Sequence, residues 1–174
     1  MKATTTPPIT IHEKLATLRA LLVEMEQVVV AYSGGVDSTF LLKVAVDTLG
    51  DKAVGLTAIS PSYPEWERVE ARNLASEMGA RVIEVQTHEM ERPAYRENNA
   101  DRCYHCKSEL FEMAALRARE MELGEICYGA ITDDLGDYRP GMNAAHERGV
   151  RAPLVESGLS KDEIRILSRD MGIR

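Results

Sequence analysis

The chain has 174 residues, 44% of them hydrophobic and 28% charged, with a formal net charge of −7, which suits one domain large enough to bury a core. The negative charge argues against a nucleic-acid surface, which normally needs a basic face. No apolar run approaches the roughly 20 residues of a membrane span, and residues 1–10 lack the apolar centre of a signal peptide, so a cytoplasmic protein with no membrane partner is expected.

Residues 1–10, with Pro7 and Pro8 among several threonines, read as a mobile leader to a domain covering 11–174. Leu15, Leu18, Leu21, Leu22 and Met25 form a helical stripe from Ile11 to about Glu26. Val28 to Tyr32 is apolar without alternation, the mark of a buried strand, and it stops at Ser33-Gly34-Gly35. Helical spacing resumes at Asp37 through Phe40, Leu41 and Val44. Ala53 to Ile59 reads as a second strand ending at Ser60-Pro61, and Glu65 to Met78 as a helix closed by Gly79. A third strand is expected at Arg81 to Val85, followed by an irregular polar stretch to Arg102. An amphipathic helix should run from Lys107 to Leu123, and a fourth strand from Ile126 to Ile131. Arg151 to Val155 is a candidate fifth strand. Ser160 and Glu163 have capping-box spacing for a last helix. Strand alternating with helix implies an α/β fold with a doubly wound, parallel, five-stranded sheet. In the order 3-2-1-4-5 the reversal falls between strands one and four, so Ser33–Ser38 and Ala130–Asp134 would share one crevice.

The strand–turn–helix Ser33-Gly34-Gly35-Val36-Asp37-Ser38 brings backbone N–H groups, two hydroxyls and a helix N-terminus to one point, which is an anion site suited to phosphate. Neither the Walker loop nor the three-glycine dinucleotide fingerprint is present, and the loop has no lysine. It resembles the PP-loop of the ATP pyrophosphatases, of adenine nucleotide alpha hydrolase-like fold, which cleave ATP between the α- and β-phosphates. That resemblance implies ATP held by Ser33, Gly34, Gly35, Val36, Asp37 and Ser38, with Asp37 helping to position Mg²⁺. Ser60 and Gly129, at the ends of the second and fourth strands, are further candidate nucleotide contacts.

Asp133, Asp134, Asp137 and Arg139 crowd the loop after the fourth strand. Beside a phosphate site they suit Mg²⁺ on ATP, with Arg139 gripping an anion; a turn whose aspartates cap the next helix is the other reading. Asp37, Asp133, Asp134 and Arg139 are the candidate catalytic residues. Cys103 and Cys106 have metal-ligand or redox spacing, but two ligands complete neither a zinc site nor an iron–sulfur cluster, so further ligands come from elsewhere or the pair is a dithiol. Cys127, inside an apolar strand, reads as a core thiol. His105 reads as a bystander, and His12, His88 and His146 as structural or surface residues.

Taken together, the PP-loop, Asp101-Arg-Cys-Tyr-His-Cys-Lys-Ser-Glu-Leu-Phe111, Asp133-Asp-Leu-Gly-Asp-Tyr-Arg-Pro-Gly141, Gly149-Val-Arg-Ala-Pro-Leu154 and Ser160-Lys-Asp-Glu-Ile-Arg165 resemble the LarE family from about Leu15 to Arg174. These are ATP-dependent sulfur transferases of nickel-pincer nucleotide cofactor biosynthesis. The resemblance implies that a carboxylate of a pyridinium mononucleotide is adenylated with ATP and Mg²⁺, and that a sulfur nucleophile then displaces AMP to leave a thiocarboxylate. Cys103 and Cys106 match members in which a third cysteine completes the attachment of a [4Fe–4S] cluster. In the family that cysteine and a substrate-binding portion follow the helix ending here at Gly172, so the chain is expected to be the nucleotide domain without the C-terminal portion. Homo-oligomers are also implied. An ammonia-dependent NAD synthetase, a tRNA thiolase and a non-catalytic nucleotide module are the alternatives. The acidic charge weighs against the thiolase, and the Asp133–Gly141 string against the NAD synthetase.

Overall fold

The computed structural model of the chain describes residues 8–61, 63–87, 102–136 and 140–173, apart from the side chains of Arg102 and Cys103. Residues 1–7 of the expected leader, the irregular stretch 88–101 with His88, and the 137–139 segment with Arg139 lie outside the described residues. Helix α1 (Ile11–Met25) starts at a capping box in which the Glu13 N–H donates to Thr10 Oγ1 at 3.2 Å and the Thr10 N–H to Glu13 Oε2 at 2.6 Å. Two of the four N–H groups that a helix start leaves unpaired are thereby satisfied. Leu18, Leu22 and Met25 recur at helical spacing and are buried.

Strand β1 (Val28–Ala31) is buried along its whole length, because sheet neighbours flank it and helices cover both faces. It leads into α2 (Val36–Leu49), and β2 (Ala53–Ile59), α3 (Glu65–Glu77) and β3 (Arg81–Gln86) follow. Then come α4 (Arg102–Glu120), β4 (Glu125–Tyr128), α5 (Pro140–Glu147), the short α6 (Pro153–Glu156) and α7 (Lys161–Asp170). All pairings are parallel, in the order β3-β2-β1-β4. Val28 and Val30 pack with α1, α2, α6 and α7, while Val29 and Ala31 pack with α4 and α5 on the other face. Among the described residues no helix is long and apolar enough to cross a membrane.

The fifth strand expected at Arg151–Val155 does not form, and the sheet of described residues has four strands. Arg151 makes one parallel bridge to Cys127, donating its N–H to Ile126 O and accepting from the Tyr128 N–H. Two residues on, Pro153 has no N–H to offer a ladder and its fixed φ suits the first turn of a helix, so the chain turns into α6. Helix α4 starts five residues before the expected Lys107, taking the backbone of Cys103 and Cys106 into its first turns.

At the opposite edge, Glu84 on β3 accepts from both Arg68 and Arg72 of α3, with closest contacts of 2.6 and 2.7 Å. The Arg68 hydrogen bond is the largest effect holding its carboxyl down at about 2, against an ordinary 4.5, while partial burial opposes it. A folded-state value below the unfolded one adds stability that is complete above the unfolded value and vanishes as pH falls through the folded one. The Glu84 side chain is 27% exposed, so solvent screening limits the expected loss in Glu84→Gln to about 1 kcal/mol at neutral pH. Urea titrations across pH should show that difference shrinking from about 4.5 towards about 2.

Candidate functional site

Strand order reverses at β1, which has β2 on one side and β4 on the other. At their carboxyl ends a cavity of about 720 Å³ opens, within the range for small-ligand sites. Ser33, Gly35, Val36, Asp37 and Ser38 form one wall; Tyr128, Gly129, Ala130 and Asp134 form another; Cys106, Lys107 and Leu110 of α4 lie along a third. Pro140 at the start of α5 and Lys161 at the start of α7 complete the rim, so the N-termini of α2, α5 and α7 all border one space. Those termini carry partial positive charge.

The loop geometry follows from its glycines. Gly34 has φ +79°, and a Cβ there would sit 2.8 Å from the Ala71 Cβ of α3. Position 34 therefore rejects a side chain on both conformational and steric grounds. Tyr32 donates its hydroxyl proton to the Ala71 carbonyl at 2.8 Å, tying strand end and helix together at the same residue. Burial raises the Tyr32 hydroxyl above its ordinary value, so the donor stays protonated. Gly35 is the N-cap of α2 and supplies no side-chain cap, so the helix start is open to an external acceptor. The two hydroxyls brace the turn: Ser33 Oγ and Ser38 Oγ lie 3.1 Å apart, and Ser38 Oγ donates to Gly35 O at 3.1 Å. Across the crevice, a Cβ on Gly129 would come within 2.9 Å of the Ser38 backbone N, so β4 packs directly against the start of α2.

The carboxylates divide. Asp37 and Asp134 line the cavity. Asp133 is not among its lining residues: its Oδ1 accepts the Lys161 N–H at 3.0 Å, fixing the start of α7 against the loop after β4. Asp134 Oδ2 accepts the Ile131 N–H at 3.0 Å, closing its own turn. Lys161, which the sequence reading did not single out, places Nζ 2.7 and 2.8 Å from the two Asp37 oxygens across 124 positions of chain. Nothing local marks it, because Lys161 opens a helix whose first turn already carries the acidic Asp162 and Glu163. Ser60 neighbours the site without lining the cavity, and its carbonyl accepts the Tyr63 N–H. Gly34 borders a second groove, of about 1030 Å³, between the loop and α3.

Mg²⁺ is commonly held by one or two carboxylates together with phosphate oxygens, and Asp37 with Asp134 fits that donor set. Among the described residues no group of three or more His, Cys, Asp or Glu side chains could hold a metal by itself. The fit is to a cation that arrives on its nucleotide. A cluster is less well served. Cys106 is exposed on the cavity wall, the Cys103 side chain lies outside the described residues, and Cys127 is sealed in the core with its thiol pushed up by burial to about 12.

A parallel sheet with a Ser-Gly-Gly phosphate loop at its reversal point defines an α/β nucleotide-site domain of the PP-loop class. The chain belongs to the NAD synthase family, which it matches over residues 11–130. It is 44% identical over 163 residues to an uncharacterized protein of Synechocystis sp., covering 94% of this chain and 61% of that one. It is 34% identical over 165 residues to the pyridinium-3,5-bisthiocarboxylic acid mononucleotide synthase of Lactiplantibacillus plantarum, covering 94% and 60%. The chain thus spans about three fifths of the length of these curated relatives. The NMN synthetase of Francisella tularensis shares the fold, with a TM-score of 0.74 at 15% identity over 96% of this chain and 73% of that one.

Two outcomes check this geometry. Gly34→Ala should lower stability by about 1–3 kcal/mol, through the strained φ and the contact with Ala71, as measured by urea denaturation. Timed alkylation read by mass spectrometry should modify Cys106 in the native protein and Cys127 only after unfolding.

Proposed function

We propose that this chain is the nucleotide-activating domain of an ATP-dependent sulfur transferase, which adenylates a carboxylate of a pyridinium mononucleotide and converts it to a thiocarboxylate. The observation carrying this reading is the uncapped start of α2 behind Gly34, facing Asp37 and Lys161 in the cavity between β1 and β4. The printed activity of the Lactiplantibacillus relative supports the choice of acceptor. A carboxylate is a poor acyl donor until its oxygen becomes part of a good leaving group, and acyl-AMP provides one.

In this reading the N–H groups at the start of α2 and the Ser33 and Ser38 hydroxyls hold the departing pyrophosphate, where preorganised donors meet the charge as it develops. Asp37 and Asp134 would hold Mg²⁺, which would supply charge withdrawal from the phosphate oxygens. Asp133 keeps Lys161 aimed into the cavity. Arg139 is assigned to gripping an anionic group, and Ser60 and Gly129 to contacting the nucleotide. Cys106 opens onto the space from which a sulfur donor would approach the acyl carbon. Cys103 and Cys106 are assigned as anchors of a [4Fe–4S] cluster in a cytoplasmic homo-oligomer, and Cys127, buried in the core, is not a further anchor.

A second reading, transfer of ammonia to the same adenylate, is favoured by the family match. Pyrophosphate release should require Mg²⁺, ATP and a pyridinium mononucleotide carboxylate, and sulfide rather than ammonia should capture the intermediate. Asp37→Asn should slow release by roughly 10²-fold, the scale of one lost electrostatic contribution. Release with ammonia as the productive partner would favour the second reading, and ATP binding without release under any acceptor, in protein that carries the family's substrate-binding portion, would exclude both. In anaerobically prepared protein that carries the family's third cysteine, Cys103→Ser should lose iron; unchanged iron counts against the cluster.

A further inference from the structure

Asp37 does not wait for a cation with its oxygens exposed. Both accept hydrogen bonds from Lys161 Nζ, at 2.7 and 2.8 Å, and the two side chains are only 24% and 29% exposed. The neighbouring acids are engaged as well, Asp133 with the Lys161 N–H and Asp134 with the Ile131 N–H. The ammonium therefore stands on the carboxylate that the preceding reading gives to Mg²⁺.

From this arrangement, and resting on the ATP-and-Mg²⁺ reading, we infer that Lys161 is an exchangeable counterion: it keeps bare divalent cations off Asp37 and moves to phosphate oxygens when the metal arrives with its nucleotide. The charge balance explains why. A metal ion entering alone can reach Asp37 only by displacing a partly buried ammonium, brings no phosphate oxygens to receive it, and repels it at short range. A metal–nucleotide complex carries a cation for Asp37 and anionic oxygens for Lys161, so one ion pair is replaced by two.

The mechanics fit the exchange. The Lys161 backbone is pinned by Asp133 and by the capping box of Ser160 and Glu163, in which the Ser160 N–H donates to Glu163 Oε2 at 2.9 Å. Only the four-carbon stem has to swing, and lysine is a flexible, strongly hydrated point charge. Lys161 is thus a positioning residue in the empty site and a phosphate contact in the filled one.

The test uses Mn²⁺ as the probe, titrated by electron paramagnetic resonance with and without α,β-methylene ATP. Wild-type protein should bind Mn²⁺ weakly alone and far more tightly with the nucleotide. Lys161→Met should bind Mn²⁺ alone roughly tenfold or more tightly than wild type, because a nearby like charge has gone, and should lose most of the tightening by nucleotide. Asp37→Asn in the same background should abolish that gain, and Lys161→Arg should restore the wild-type pattern. Lys161→Gln repeats the measurement if the Met variant misfolds. Mn²⁺ binding alone that is no tighter in Lys161→Met and Lys161→Gln than in wild type would overturn the inference, as would a gain that survives Asp37→Asn. Failure of wild type to bind nucleotide would instead sink the ATP reading, while the metal-only titrations still judge Lys161.

Discussion

The site depends on one constraint, the passage from a fully buried central strand to a helix start within a few residues. β1 carries sheet neighbours on both sides and helices on both faces, so its end cannot shift without disturbing the core. Gly34, at φ +79° against Ala71, makes the turn possible. The helix that follows has no side chain capping it. A rigid strand thus aims the first N–H groups of α2 at a fixed point, which is the geometry of an anion site.

Charge is arranged around that point in layers. The start of α2 offers partial positive charge, Asp37 in its first turn offers a full negative one, and Lys161 from a distant helix answers it. Asp133 ties that helix to the loop after β4. Gly129 lets β4 approach the Ser38 backbone closely, so the two walls of the cavity share packing as well as charge. The cavity is one mechanical unit, made of strand ends that the sheet register already holds in line.

Much of this was legible locally. The buried run at Val28–Ala31, the Ser-Gly-Gly turn and the capping pairs Thr10–Glu13 and Ser160–Glu163 are short-range patterns, and they appear where the residues indicate. The alternation of elements indicated a parallel, doubly wound sheet, and the order 3-2-1-4 within the order considered for it is the one that forms. What escaped was either non-local or overruled by one residue. The Asp37–Lys161 pair joins positions 124 apart, and no local spacing reveals it. Asp133 and Asp134 look equivalent in sequence, yet only the second lines the cavity, because a 3-10 turn at Thr132–Gly136 sends neighbouring side chains different ways. The apolar content of Arg151–Val155 favours a strand, but the proline in its middle decides the matter.

That proline also bears on how the molecule behaves in a crowded solution. An unpaired sheet margin is a template on which other chains can assemble into aggregates. Here β4 meets one bridging residue, Arg151, and then a helix that turns the backbone away. Among the described residues β3 forms the far margin, and it carries Arg81, Glu84 and Gln86, charged or polar groups that discourage a pairing partner. The same tripeptide, Arg151-Ala152-Pro153, that curtails the sheet therefore gives one flank of the molecule a barrier to fibril-like growth.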